Sequence, residues 1–144
     1  MPLQRDKMHR LIDLALKALI LLLCLGLGAV QAQSVDFVEP RDGDTVPTTF
    51  TVKFKVTGMR VAPAGDMTEG TGHHHLLIDA RDIETGVVIP NDNQHKHFGK
   101  GQTESQVFLQ PGRYRLTLQF ADGAHRSYGE GLRKSINVTV AGEK

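Results

Sequence analysis

Cysteine is almost missing from this 144-residue chain: its single thiol, Cys24, lies in an apolar run near the start. The rest of the chain can form no internal disulfide, so an oxidising compartment gives it no staple. Any metal it holds must sit on histidine, methionine or carboxylate. An excess of charge of either sign is lacking too. Lys and Arg number 17 against 16 Asp and Glu, a formal net charge of +1, which leaves no electrostatic footprint for nucleic acid or a membrane surface. No apolar run reaches the ~20 residues that a bilayer-spanning helix needs, because the run 18–30 is closed off on its N-terminal side by Asp13 and Lys17. Internal repeats and low-complexity tracts are missing, and no Ser or Cys stands in a nucleophile elbow. Gly99-Lys100-Gly101-Gln102-Thr103 superficially resembles a phosphate loop, but it lacks the Gly-x-x-x-x-Gly-Lys spacing and a following helix, which excludes nucleotide binding.

What is present begins with an address. A basic start (Arg5, Lys7, Arg10, Lys17), the uncharged run 18–30 and the small residues of Val30-Gln31-Ala32 form the pattern of a signal peptide over residues 1–32, cleaved after Ala32. Leu23 precedes Cys24 where a lipidation site wants a small residue, so Cys24 leaves with the leader. Cleavage removes four Lys/Arg and two Asp/Glu and turns the formal charge from +1 to −1. Residues 33–144 are then one domain, large enough to bury a core without staples. The expected location is periplasmic or secreted, with no membrane association after cleavage.

Beyond the leader, period-two alternation dominates and no helical stripe exceeds two turns, so the expected class is all-β. Val35 to Val38 reads as a short strand. Phe50, Val52, Phe54 and Val56 then alternate with Lys53 and Lys55, an apolar inner face and a wet outer one. A long connection, Gly58 to Gly72, leads to the strand His73 to Asp79, and Val87-Val88-Ile89 offers a short strand. The polar, glycine-punctuated segment 91–102 reads as a loop. Ser105 to Leu109 and Arg113 to Phe120 flank Pro111-Gly112 and should form a hairpin, and Tyr114 is either a corner tyrosine or a core aromatic. Ile136 to Val140 alternates again. Six to seven short strands separated by turn signals predict an immunoglobulin-like, two-sheet β-sandwich.

Chemistry concentrates in the histidines. On a strand, side chains alternate faces, so in Gly72-His73-His74-His75-Leu76-Leu77-Ile78-Asp79 the residues His74, Leu76 and Ile78 share the core face. His73 and His75 share the other, roughly 6 to 7 Å apart at the backbone, where two imidazoles can converge on one ion. A second His-x-His, His95 and His97, follows in the segment 91–102. Two such pairs supply a four-nitrogen set for a divalent transition metal, with His125 able to add or replace a ligand. The bland alternative is that His74 donates to a backbone carbonyl and the loop histidines are merely solvated. Met59 and Met67 are soft candidates for copper(I) but read first as packing. Asp79 and Asp122 are candidate acceptors for ligand imidazoles. A copper site on an N-terminal histidine is disfavoured, since cleavage leaves Gln33 first.

Several of these segments, namely Gly58-Met59, Pro63-Ala64-Gly65, Thr71 to Asp79, His95 to Glu104 and Leu109-Gln110-Pro111-Gly112, closely resemble the bacterial family called domain of unknown function 4399. The resemblance covers nearly all of the chain after the leader. It implies a small exported domain whose histidine segments are a signature, and it supplies no mechanism. This chain departs from the family's pattern in two places. Tyr114 stands where the family often has histidine, which makes that position a poor ligand candidate, and the loop 124–129 around His125 lacks the family's prolines.

The sequence thus predicts an exported domain that binds copper, with zinc second, through His73, His75, His95, His97 and His125 for carriage, buffering or sensing. Its partner is the metal ion, with an envelope protein as a further candidate. Two rivals stand beside it: a non-metal interaction module with a histidine hydrogen-bond network that also uses Gln102, Thr103 and Glu104, and a small metalloenzyme with Glu104 or Asp79 as general acid or base. Enzymatic activity is the less favoured of these.

Overall fold

The computed structural model describes residues 31–142 and, before them, residues 9, 10, 12–14 and 17, which are helical. The apolar run 18–30 and Cys24 lie outside the described residues. Among the described residues no helix is long and apolar enough to cross a membrane. Residues Ala32–Lys144 form one compact unit.

Nine strands follow in order: β1 (Ser34–Glu39), β2 (Thr45–Val46), β3 (Thr49–Thr57), β4 (Arg60–Val61), β5 (Thr71–Ile78), β6 (His95–Phe98), β7 (Glu104–Phe108), β8 (Gly112–Ala121) and β9 (Arg133–Val140), with one 3-10 turn at Glu130–Leu132. Two of them, β2 and β4, are only two residues long, so seven carry the architecture. A three-stranded sheet runs β1-β3-β7, and a six-stranded sheet runs β2-β9-β8-β5-β4 with β6 also paired to β5. This is the expected immunoglobulin-like sandwich of two sheets.

Alternation sets the core. Phe50, Val52 and Phe54 of β3 face inward with Val35 and Phe37 of β1. They meet Leu76 and Ile78 of β5, Leu116, Leu118 and Phe120 of β8, and Ile136, Val138 and Val140 of β9. Burying one apolar face per sheet is what holds two sheets together.

Two expectations fail. The segment 91–102 is not all loop, because His95–Phe98 forms β6, antiparallel to β5 with His75 opposite His97 and Leu77 opposite His95. An edge strand needs only one partner, and its polar outer residues conceal it from a pattern search. The β7–β8 hairpin does not form either: β7 pairs with β3 and β8 pairs with β5 and β9. Pro111-Gly112 instead carries the chain from one sheet to the other, since apolar faces on both sides of the turn are buried by facing each other across the core. Tyr114 secures that corner, its hydroxyl donating to the Gln110 carbonyl at 2.9 Å, while its ring packs against the core cluster. Val87-Val88-Ile89 is reduced to one bridge, Val88 to Arg126.

The outer face of the large sheet is covered as well. The connection between β5 and β6 folds back over it and is tied to the segment after β8 by Gly86 N to Ser127 O (2.8 Å), Ser127 N to Val87 O (2.9 Å) and Ile89 N to His125 O (2.9 Å). Arg115 reaches Asp82 at 2.8 Å. All eight residues of β5 are consequently buried.

Candidate metal centre

β5 delivers two imidazoles to this covered outer face. His73 and His75 are 0% and 2% exposed, and their Nε2 atoms approach to 3.0 Å. The pairing of β5 with β6 sets His97 directly opposite His75. Gly99 makes room for that ring, because a Cβ at residue 99 would overlap Cε1 and Nε2 of His97.

His125 arrives from the turn after β8. Asp122 builds this turn: its Oδ1 accepts the N–H groups of Ala124 and Arg126, both at 2.8 Å, and its carbonyl accepts His125 N–H at 2.9 Å. His125 itself has φ 63°, a left-handed conformation that costs a non-glycine residue about 1–2 kcal/mol. Such strain persists where the surroundings over-determine it, commonly at functional sites. The reward is that His125 Nδ1 stands 3.2 Å from His73 Nε2.

One ring nitrogen from each of His73, His75, His97 and His125 lies within 4.8 Å of the others. The six ring-centroid separations run only from 4.7 Å (His97–His125) to 5.8 Å (His75–His125). Four rings at the corners of a square would show two diagonals ~1.4 times the sides. Near-equal separations instead describe a tetrahedron, and imidazoles bound at ~2.05 Å around a tetrahedral ion would place their centroids ~5.2 Å apart. The arrangement can therefore hold a metal ion.

The protonation states suit that use. Burial, then the imidazoles of His97 and His125, push His73 down to about 4. Burial and the surrounding histidines, His73 first, push His75 down to about 2. His97, though exposed on the edge strand, is lowered as well, by partial desolvation and then by His125. These three rings are neutral at pH 7, as metal ligation requires. The unfolded chain binds protons on these residues below about pH 6.5 that the folded protein refuses, so stability rises with pH across this window. The metal-free protein should melt at the same temperature from pH 8 to 7 and progressively lower as pH falls from about 6.5 to 4. A melting temperature independent of pH in that range, followed by calorimetry, would contradict the burial of neutral imidazoles.

Four of the five predicted ligands meet. His95 does not: its Nδ1 is 2.7 Å from Asp92 Oδ1, and it sits two residue pairs further along the sheet, opposite Leu77. His74 does not donate to a backbone carbonyl, as the bland alternative had it. It is wholly buried in the core, 4.6 Å from the Phe54 ring and 4.9 Å from Phe120, with neither ring nitrogen partnered. Asp79 and Asp122 do not orient ligand imidazoles either. Asp79 Oδ1 accepts the Arg115 N–H at 2.7 Å, and Asp122 serves the turn that holds His125. The Nδ1 atoms of His73 and His75 have no partner, so packing rather than an outer hydrogen bond fixes those rings. Met59 packs against the core and Met67 is 60% exposed. The sequence signal for the role of Asp122 was present but unread: Asp-Gly two residues before His125 is a turn signature.

Fold and site together define a small two-sheet β-sandwich with a four-histidine cluster, able to hold a metal ion, on the outer face of one sheet. Residues 52–141 match the family described as Domain of unknown function (DUF4399), and the chain belongs to it. No curated protein matches the chain. Three solved structures are similar to it. One is the endo-beta-1,4-mannanase from Thermotoga petrophila, at 16% identity, 77% of this chain, 20% of that one and TM-score 0.44. Another is the fibronectin(III)-like modules of Clostridium thermocellum CbhA, at 11% identity, 76% of this chain, 99% of that one and TM-score 0.47. The third is the PKD domain from human KIAA0319, at 16% identity, 83% of this chain, 91% of that one and TM-score 0.37. The chain thus spans a fifth of the mannanase, and at these scores the likenesses carry no functional meaning.

Proposed function

We propose that this protein is an exported carrier or buffer of a transition-metal ion, zinc before copper, bound by His73, His75, His97 and His125. The observation that carries the reading is the near-tetrahedral set of four imidazoles at one focus, three of them held neutral. A tetrahedral, all-imidazole set suits the d10 ion Zn²⁺, whereas Cu²⁺ prefers a tetragonal set, which reverses the order suggested by the sequence. Carriage is favoured over catalysis because four protein nitrogens take the tetrahedral positions and leave none for a metal-activated water, while the two carboxylates considered as general acid or base lie away from the cluster. Asp79 binds Arg115 N–H, and Glu104 lies on β7 in the other sheet, opposite Lys53. Against a purely hydrogen-bonded network stands the shared focus of the rings with two buried Nδ1 atoms left over. The signal-peptide pattern supports export to the periplasm or beyond.

The test is calorimetric titration of the purified, tag-free protein with zinc at pH 7. One-to-one, sub-micromolar binding is expected. His73→Ala, His75→Ala, His97→Ala and His125→Ala should each weaken it by about 100-fold or more, whereas His95→Ala should change it by less than about threefold. Weak, multi-site binding that survives the four substitutions would show the cluster to be structural.

A further inference from the structure

A cavity of about 460 Å³ opens onto the histidine cluster, lined by His75, His97 and His125 together with Val88, Ile89, Pro90 and Asn91. His73, the fourth member of the cluster, does not line it. The three lining imidazoles therefore bound one face of the tetrahedron, and that face is turned to the cavity.

The segment 88–90 that completes the lining is a built part of the same unit. Ile89 is 4% exposed and its N–H donates to the His125 carbonyl at 2.9 Å. Val88 bridges to Arg126. The turn that carries a ligand and the segment that carries the apolar wall are thus hydrogen-bonded to each other. Val88 remains 54% exposed, a large apolar side chain left at the cavity rather than turned into the core.

Charge selects what enters. Imidazole ligands bring a dication no negative charge, and the nearest carboxylate in the sequence, Asp122, already accepts two backbone N–H groups and does not line the cavity. A double charge that its ligands leave uncompensated attracts an anion. A fifth donor approaching a tetrahedral ion enters through a face, opposite the remaining ligand, and zinc accepts five-coordination. Here that face is the one formed by His75, His97 and His125.

We infer that this cavity is a binding site for a small organic monoanion, its carboxylate head on the cluster-bound metal ion and its aliphatic or aromatic body against Val88, Ile89 and Pro90. The inference rests on the metal reading above and adds a ligand class to it. The metal centre is then a carrier whose ion is reached, and exchanged, through an anion-selective apolar mouth.

The experiment uses the full chain loaded with cobalt(II), whose visible bands weaken when a four-coordinate ion becomes five-coordinate, titrated with hexanoate and with acetate. Hexanoate carries four more carbon atoms than acetate, and burying even part of them predicts at least about a tenfold preference for hexanoate. Val88→Ser, at a half-exposed position remote from the core, should abolish most of that preference and leave cobalt affinity unchanged. Cobalt bands that respond equally to the two anions, that respond to neither, or that keep the preference in Val88→Ser would overturn the anion site while leaving the metal reading intact. Failure of cobalt bands to appear at all would overturn both.

Discussion

Saturating zinc should raise the melting temperature of this protein by about 10 °C or more at pH 7, and the rise should vanish in His75→Leu. A ligand present at 100 to 1,000 times its dissociation constant stabilises the folded state by ~2.7 to 4.1 kcal/mol. For a domain of this size each kcal/mol moves the midpoint by about 4 °C. The fold also carries a cost that an ion on the Nε2 side does not relieve. His73 and His75 are buried with their Nδ1 atoms unpartnered, and each such group forfeits about 1–3 kcal/mol. For that reason the metal-free His75→Leu protein should melt no lower than the metal-free parent, a trade of stability for function of the usual kind. Differential scanning calorimetry with and without zinc decides it. An unmoved parental midpoint would remove the case for a metal.

The second large effect lies at Gly72. It sits inside β5, immediately before the first ligand, where a Cβ would overlap the Ala121 carbonyl oxygen and approach Phe120 Cε1 at 2.7 Å and Cδ1 at 3.1 Å. Neither neighbour can yield. The Ala121 carbonyl belongs to the backbone of β8 beside β5, and the Phe120 ring is fully buried against His74. Gly72→Ala should therefore destabilise the protein by about 3 kcal/mol, at the upper end of what overpacking costs, and should weaken zinc binding through displacement of His73. Gly131→Ala is the control. It meets nothing within 4 Å and should shift stability by less than about 0.5 kcal/mol. Equal denaturation midpoints for the two variants in urea would show that the close approach at Gly72 is not a constraint.

The alternation of β3, β5, β8 and β9 was legible because each strand buries one apolar face, and a strict period of two leaves a trace in the residue order. From it came the sandwich, the inward placement of His74, Leu76 and Ile78, and the outward pairing of His73 with His75. His-x-His spacing likewise identified His97. The same spacing misassigned His95, which occupies the correct face but lies two residue pairs too far along, where Asp92 holds its ring. Register decides that, and register is fixed by strand pairing rather than by spacing within one strand.

By itself, then, the residue order determined the fold class, the core face of each long strand and the histidine chemistry of the cluster, since these depend on local periodicity and side-chain type. Tertiary structure alone decided the rest. Pro111-Gly112 became a crossing between sheets rather than a hairpin, the polar His95–Phe98 became an edge strand, and the face of β5 that carries His73 and His75 was covered by the connection folded back from Asp79. His125, bearing no strand signal, was brought within 3.2 Å of His73 by a turn whose strain only its surroundings sustain. Contacts between residues distant in the chain leave no period in the sequence, because they are set by which surfaces remain to be buried once the strands have paired.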